Sequence, residues 1–179
     1  GNDVDVITAA RSTGSILKPL LYSSILSDGE ILPNALVPDI PTQIGSYSPK
    51  NYFLTYDGAV PARKAIARSL NVPIVRMLQQ YSVEKLHFKL KKIGMTTITQ
   101  PANHYGLSLI LGGAEGKLWD ITGIYASMAR TLNHYTKHNG KYDKNDFHAP
   151  NYLSVVEEKK RIPEQTSDYD AASIYLTFE

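Results

Sequence analysis

The sequence predicts a mainly α-helical protein. Three observations carry this reading. Apolar residues recur at helical spacing in several segments. Prolines and glycines fall where those segments begin and end. Runs with the alternating pattern of strands are few. With 179 residues, the chain is long enough for one domain with its own core.

Val4, Val6 and Ile7 predict a short extended approach to Ala9 and Ala10. The stretch Ile16 to Leu26 is apolar enough for a buried helix, ending near the turn signal Ser27-Asp28-Gly29. Pro19 lacks an N–H and is tolerated only in a first helical turn, so this helix should begin near Ser15, with Gly14 supplying the sharp turn before it. Residues 32 to 60, with Pro33, Pro38, Pro41 and Pro49, read as a long loop of the kind that serves a function or wraps a surface. Pro61 suits the first position of a helix from Ala62 to about Ser69. Asn71-Val72-Pro73 breaks it, and Pro73 opens a second helix through about Tyr81. Ser82 is the expected N-cap of a third, which carries Leu86, Leu90 and Ile93 and stops at Gly94. Gly112-Gly113 and Gly116 bracket a turn. After it, Leu118, Ile121, Tyr125, Met128 and Leu132 mark one face of an amphipathic helix from Leu118 to about Leu132. Residues 133 to 150 are polar. Ser167 or Asp168 should cap a last helix from Ala171.

Composition narrows the function classes. Apolar residues make up 42% and charged residues 20%, as expected of a globular protein, and a net charge of +2 gives no case for nucleic acid. The basic runs Lys89, Lys91, Lys92 and Lys159, Lys160, Arg161 read as solvated faces. The absence of cysteine removes thiolate catalysis, disulfides and Cys-ligated zinc. No apolar run reaches the roughly eighteen residues of a spanning helix. His134, His138 and His148 stand near Asp143 and Asp146 but lack a rigid metal-binding frame, so they read as exposed loop residues, with no metal or cofactor expected. The twelve tyrosines read mainly as packing residues, with Tyr47, Tyr52 and Tyr56 the ones able to line a groove, and Trp119 reads as core. The opening Gly1-Asn2-Asp3-Val4, without Met, suggests a segment of something longer.

Two pairs carry chemistry. At i and i+3 on a helix, Ser15 and Lys18 would share a face, so the lysine amine could reach the serine hydroxyl. Serine needs a base to become a nucleophile, and lysine can act as one when burial or a nearby cation lowers its pKa. The helix N-terminus would favour an oxyanion. Ser-x-x-Lys is nevertheless a weak pattern. A second copy, Ser82-Val83-Glu84-Lys85, falls where a cap is expected and reads as structure. Gly14, Pro19 and the apolar helix behind Lys18 set Ser15 apart without deciding between catalysis and capping. Ser69-Leu70-Asn71 falls in the break between two helices. There it could turn a hydroxyl and an amide into a cleft, or simply end a helix with Asn in the left-handed conformation.

Ser-x-x-Lys, a Ser-x-Asn element and Lys-Thr-Gly together mark class A β-lactamases and penicillin-binding proteins. Arg11-Ser12-Thr13-Gly14-Ser15-Ile16-Leu17-Lys18-Pro19 resembles the first motif of class A penicillin-binding proteins, most closely the 1C type. Ala67-Arg68-Ser69-Leu70-Asn71-Val72-Pro73 resembles the second motif and its flanks. Leu109-Ile110-Leu111-Gly112-Gly113-Ala114, with the helix that carries Tyr125-Ala126-Ser127-Met128-Ala129, resembles the stretch that follows. The resemblance runs over most of residues 1 to 132.

It implies the helical part of an α+β β-lactamase/transpeptidase-like fold with the flanking sheet strands largely missing. By the same resemblance, Ser15 would be the nucleophile toward a D-Ala-D-Ala stem peptide and Lys18 its proton acceptor. Ser69 would relay a proton to the leaving D-Ala, and Asn71 would bind the donor peptide and fix Lys18. Peptidoglycan stem peptides, β-lactam antibiotics and other cell-wall synthesis proteins would be the partners. The parent would be membrane-anchored, with this part in the periplasm or at the outer face of the inner membrane. Lys-Thr-Gly does not occur in the chain. The segment is therefore expected to hold the motif-one and motif-two half of a cleft and to be inactive alone. Two rivals remain: a penicillin-binding sensor, and a non-catalytic helical module in which Ser15 and Lys18 lie apart.

Overall fold

Helix α1 (Lys18–Ser27) is the hub of the computed structural model, which describes residues 5–152 and 162–179. Its side chains explain its place. Leu17, Leu20, Leu21, Tyr22 and Ile25 are all buried, and so are Ser23 and Ser24 on the remaining face. A helix apolar on nearly every side has to be surrounded. Helices α2 (Ala62–Ala67), α3 (Asn71–Tyr81), α4 (Val83–Lys92) and α7 (Ala171–Phe178) pack around it. The two buried serines are satisfied: Ser24 Oγ donates to Leu20 O at 2.7 Å and lies 3.0 Å from Tyr169 Oη, and Ser23 Oγ lies 3.2 Å from Ser173 Oγ. Each fully buried leucine contributes about 1.5–3 kcal/mol.

The helix begins later than the sequence predicts. Ser15 lies in a turn, and α1 starts at Lys18. Pro19 is the physical reason. An α-helix from Ser15 would need the Pro19 N–H for the Ser15 carbonyl, and proline has none. That carbonyl instead accepts from Lys18 N at 3.1 Å, and Thr13 O accepts from Ile16 N at 3.1 Å, both in the tighter i→i+3 pattern.

Other expectations are met or adjusted locally. Ser82 caps α4 by accepting from Glu84 N and Lys85 N. The second Ser-x-x-Lys is thus structural, its lysine pairing with Glu30 at 2.6 Å. Asn71 and Val72 do not break a helix; they open α3, with Pro73 still in its first turn. Asp170, rather than Ser167 or Asp168, caps α7 by accepting from Ser173 N, and Asp168 pairs with Lys92. Helix α6 (Leu118–Lys137) outruns its predicted end by more than a turn. On its predicted face Ile121 and Met128 are buried, Tyr125 and Leu132 pack partly, and Leu118 stays exposed. Trp119 is not core: it is partly exposed and stacks on Tyr152 with ring centroids 4.2 Å apart.

The segment predicted as loop holds structure. Strands β2 (Leu36–Asp39) and β3 (Gly58–Pro61) pair antiparallel from Leu36 opposite Pro61 to Asp39 opposite Gly58. Val37 and Val60 point inward at the middle of the ladder. Four prolines and strands of only four residues hide that alternation in the sequence. Two shorter antiparallel pairs join β1 (Arg11–Ser12) to β4 (Glu115–Gly116) and β5 (Tyr142–Asp143) to β6 (Pro163–Glu164). A short helix, α5 (Ala102–Tyr105), runs into a 3-10 turn, Gly106–Leu111, before β4. Among the described residues, no helix is long and apolar enough to cross a membrane. Val4 of the predicted extended approach and the basic run 159–161 lie outside the described residues.

The cap at Ser82 gives a stability test. Ser82 sits at φ +92°, where a side chain is strained, while its hydroxyl holds two helical N–H groups. Ser82→Ala removes the cap and keeps the strain, so it should destabilise the protein by about 1 kcal/mol. Ser82→Gly relieves the strain and should cost less. Urea melts of the three proteins should rank serine above glycine above alanine.

Candidate active site

Lys18, the first residue of α1, is only 2% exposed. Its Nζ donates to three acceptors: Asn71 Oδ1 at 2.7 Å, Ser69 O at 2.8 Å and Ser69 Oγ at 3.1 Å. Three acceptors match the three N–H bonds of an ammonium. Burial pulls its pKa from 10.5 down to about 8, and no charged neighbour adds to that shift. Of the two routes to a basic lysine, the fold uses desolvation.

Ser69 and Asn71 reach Lys18 because of how α2 ends. Ser69 N donates to Ile66 O at 2.8 Å and Leu70 N donates to Ala65 O at 3.0 Å. This is the paired closure that ends a helix on a left-handed residue. The left-handed residue is Ser69, at φ +52°, not Asn71 as the sequence suggested. The turn directs both the Ser69 carbonyl and its hydroxyl at Lys18. Asn71 then starts α3 with its side chain facing the same ammonium, while its Nδ2 donates to Lys50 O at 2.8 Å.

Ser15 is exposed in the turn before Lys18, and among the described residues its hydroxyl carries no hydrogen bond. The expected contact with Lys18 is therefore not made; Ser69 and Asn71 occupy the ammonium instead. The turn is nevertheless firmly held. Thr13 N and Oγ1 both donate to Ala114 O, at 3.1 and 3.0 Å, and Ser12 Oγ donates to Gly112 O at 2.9 Å. Tyr125 Oη donates to Ile16 O at 2.6 Å, and burial pushes that phenol up to about 12, so it remains a donor at neutral pH. Gly14 adopts φ +53°. A side chain at Gly112 (φ +97°) would come within 2.6 Å of Ser12 Oγ and 3.0 Å of Gly14 N.

The fold brings together Lys18, Ser69 and Asn71, with Ser15 one turn before Lys18. It does not gather the histidines as loop residues. His134 lies within α6 and pairs with the buried Asp146, and His138 ends the helix. His148 is exposed, its carbonyl taking a hydrogen bond from Arg130. Among the described residues, no group of three acidic or histidine side chains is placed to hold a metal. Of the three candidate groove tyrosines, Tyr52 is exposed, while Tyr47 and Tyr56 are partly buried. Sequence reasoning missed Asn51, Asp39 and the anchoring role of Tyr125. Asn51 stands in a proline-bounded stretch without periodicity, and Tyr125 falls on a helical apolar face, where packing is the simpler expectation.

No family model matches the chain. Three relatives are similar in sequence. Penicillin-binding protein 1C of Escherichia coli is 38% identical over 127 residues, which is 71% of this chain and 16% of that protein. Penicillin-binding protein 1F of Bacillus subtilis is 36% identical over 110 residues, 61% of this chain and 15% of that one. Penicillin-binding protein 1A of Pseudomonas aeruginosa is 31% identical over 147 residues, 79% of this chain and 16% of that one. The chain thus spans 15–16% of the length of these relatives. Its homologues are class A penicillin-binding proteins, at 30–38% identity over part of the chain. Two solved structures share the fold. A peptidoglycan glycosyltransferase from Burkholderia ambifaria has a TM-score of 0.70 at 15% identity, covering 96% of this chain and 55% of that one. Penicillin-binding protein PonA1 from Mycobacterium tuberculosis has a TM-score of 0.63 at 18% identity, covering 73% and 36%.

The depressed Lys18 value sets a pH dependence. Below about pH 8 the lysine is charged in both the folded and the unfolded chain, and its burial opposes folding. Between about 8 and 10.5 the unfolded chain keeps a proton that the folded chain has released, so stability rises with pH in that window. Relative to Lys18→Met, which has no such proton, the parent should gain about 1–3 kcal/mol across it. Denaturant melts of both proteins at pH 7.5, 9 and 10.5 check this; a constant difference would place the lysine in water-like surroundings.

Proposed function

We propose that the chain forms the motif-one and motif-two half of a serine D,D-transpeptidase site that cross-links peptidoglycan. The observation that carries this reading is a buried, weakly acidic ammonium at Lys18, held by Ser69 and Asn71 one turn from an exposed serine. Such a cluster suits proton transfer. When Nζ loses its proton it keeps two N–H donors, enough for Asn71 Oδ1 and Ser69 O, and gains one lone pair. The lone pair is then available to the hydroxyl of Ser15 after a side-chain rotation.

In the reaction, Ser15 Oγ attacks the carbonyl carbon of the terminal D-Ala-D-Ala bond, and its proton passes to Lys18 Nζ. The C–N bond breaks and the D-Ala amine leaves with a proton relayed through Ser69. Asn71 orients Lys18 and the donor peptide. An amine of a second stem peptide then attacks the Ser15 ester; the acyl C–O bond breaks, the amine's proton returns to Ser15 Oγ, and the new amide is the cross-link. A β-lactam acylates the same oxygen. The strand carrying Lys-Thr-Gly, and with it one oxyanion donor worth about a hundredfold or more in rate, would complete the site. The working protein is membrane-anchored, acts in the periplasm at the outer face of the inner membrane, and meets other cell-wall synthesis proteins there.

One similar solved structure is named a peptidoglycan glycosyltransferase, which raises a second reading. Where glycosidic bonds are cleaved, the acid and base are ordinarily a pair of carboxylates. Among the described residues, the groups that Lys18 contacts are a hydroxyl, an amide and a carbonyl. The transpeptidase reading is the one that employs them.

Fluorescent penicillin, read by intact mass and peptide mapping, tests the proposal in the full-length protein that carries these residues. The label should map to Ser15 and vanish in Ser15→Ala. Lys18→Ala should slow labelling by about a hundredfold or more, and the parent's rate should climb as pH rises through about 8. A folded protein left unlabelled, or a label that survives Ser15→Ala, would overturn it. A labelled protein that releases the acyl group without forming cross-links from stem peptides would instead be a sensor.

A further inference from the structure

Asn51 is 3% exposed, and every polar position of its amide is used. Its Oδ1 accepts from Asn71 N at 3.0 Å and from Val72 N at 3.1 Å. Its Nδ2 donates to Asp39 Oδ1 at 2.7 Å and to Thr55 O at 2.9 Å. The two N–H groups it receives belong to the first turn of α3, where no intrahelical partner exists. Leu70, the residue before α3, has no side chain able to cap it, and Pro73 has no N–H to offer. Asn51 therefore caps α3 from twenty residues upstream.

Asp39 holds the cap. It is fully buried, at the end of β2, with Oδ2 accepting from Asp57 N at 3.0 Å. Asp57 pairs with Arg68, the residue just before Ser69. The 39–57 segment thus grips the Ser69–Asn71 turn on both sides: at Arg68 through Asp57, and at Asn71 through Asn51 and the Lys50 carbonyl. A left-handed serine is costly to maintain, and it persists only where its surroundings fix it.

We propose that Asn51, oriented by Asp39, is a positioning residue for this site: it fixes the α3 N-terminus so that Asn71 Oδ1 and the two Ser69 oxygens stay on Lys18 and water stays out. The inference rests on the transpeptidase reading for its kinetic consequence but not for its effect on Lys18.

The full-length protein carrying these residues is compared with Asn51→Ala, Asn51→Asp and the exchange Asp39→Asn/Asn51→Asp. Three quantities are read: the penicillin acylation rate at Ser15 across pH, the pH midpoint of Lys18 reactivity by competitive acetylation and mass spectrometry, and the melting temperature. Asn51→Ala should slow acylation about ten- to a hundredfold. It should also move the Lys18 midpoint from about 8 toward 10.5, because water then reaches the amine. Asn51→Asp sets two buried carboxylates against each other and should lose at least as much. The exchange restores a donor opposite an acceptor and keeps an acceptor at the helix N-terminus, but leaves the Thr55 carbonyl without its donor, so it should recover part of the rate that Asn51→Asp loses. Lower melting temperatures with an unchanged rate and Lys18 midpoint would make Asn51 merely structural and overturn the inference. If the unaltered protein is never acylated at Ser15, the transpeptidase reading falls; the Lys18 midpoint then decides alone, a shift in Asn51→Ala supporting positioning and no shift refuting it.

Discussion

A buried ammonium is the constraint around which this structure is organised. Lys18 opens the most buried helix of the molecule, where an unpaired charge would cost several kcal/mol. It can stay there only if three acceptors arrive from elsewhere. Backbone carbonyls near its own helix are committed to the turn before it, so the acceptors come from Ser69 and Asn71, about fifty residues away in sequence. That demand explains why α2 ends abruptly on a left-handed serine and why α3 starts within two residues. The residual desolvation is what makes the amine a base near neutrality.

Two otherwise irregular segments supply the rigidity. The turn at Ser15 is braced by residues 112–114 and by the Tyr125 phenol, and the turn at Ser69 by the stretch between β2 and β3. The second brace also holds the Asn71 side chain itself, through Nδ2 to Lys50 O. The other contacts act on the backbone, where small displacements translate directly into the geometry of the oxygen or nitrogen it carries. The hydroxyl of Ser15 stays free to rotate while the backbone beneath it does not.

The helices were legible in the sequence because their signals are local. Pro19, Ser82, Gly94 and the periodic face of α6 each act within a turn of chain, and the fold follows them closely. What was not legible depended on distance. Whether Ser15 or Ser82 was the Ser-x-x-Lys of interest could be weighed only by context, and three-dimensional partners separate them: Lys85 reaches an exposed Glu30, Lys18 a buried turn. The β2–β3 pair escaped notice because Val37 and Val60 lie among prolines. The i,i+3 argument for Ser15 and Lys18 assumed a helical turn that Pro19 forbids, and the contact it expected is not made. Asn51 and Asp39 gave no signal, because a capping side chain supplied from another segment has no fixed spacing to its helix.

The left-handed backbone at Ser69 has an evolutionary consequence. Glycine would adopt φ +52° without strain, so the chain keeps a less comfortable residue at this position. The Ser69 hydroxyl offsets that strain by accepting from the buried Lys18 ammonium, so glycine here would relax the backbone and leave one ammonium N–H without its acceptor. In a duplicated copy whose residue 18 is no longer a buried cation, that conflict ends, and drift to glycine at position 69 would relieve the strain with nothing lost from the core. Residues 18 and 69 are therefore to be read together in the history of a copy: serine at 69 where lysine still opens the buried helix, glycine where that lysine has gone.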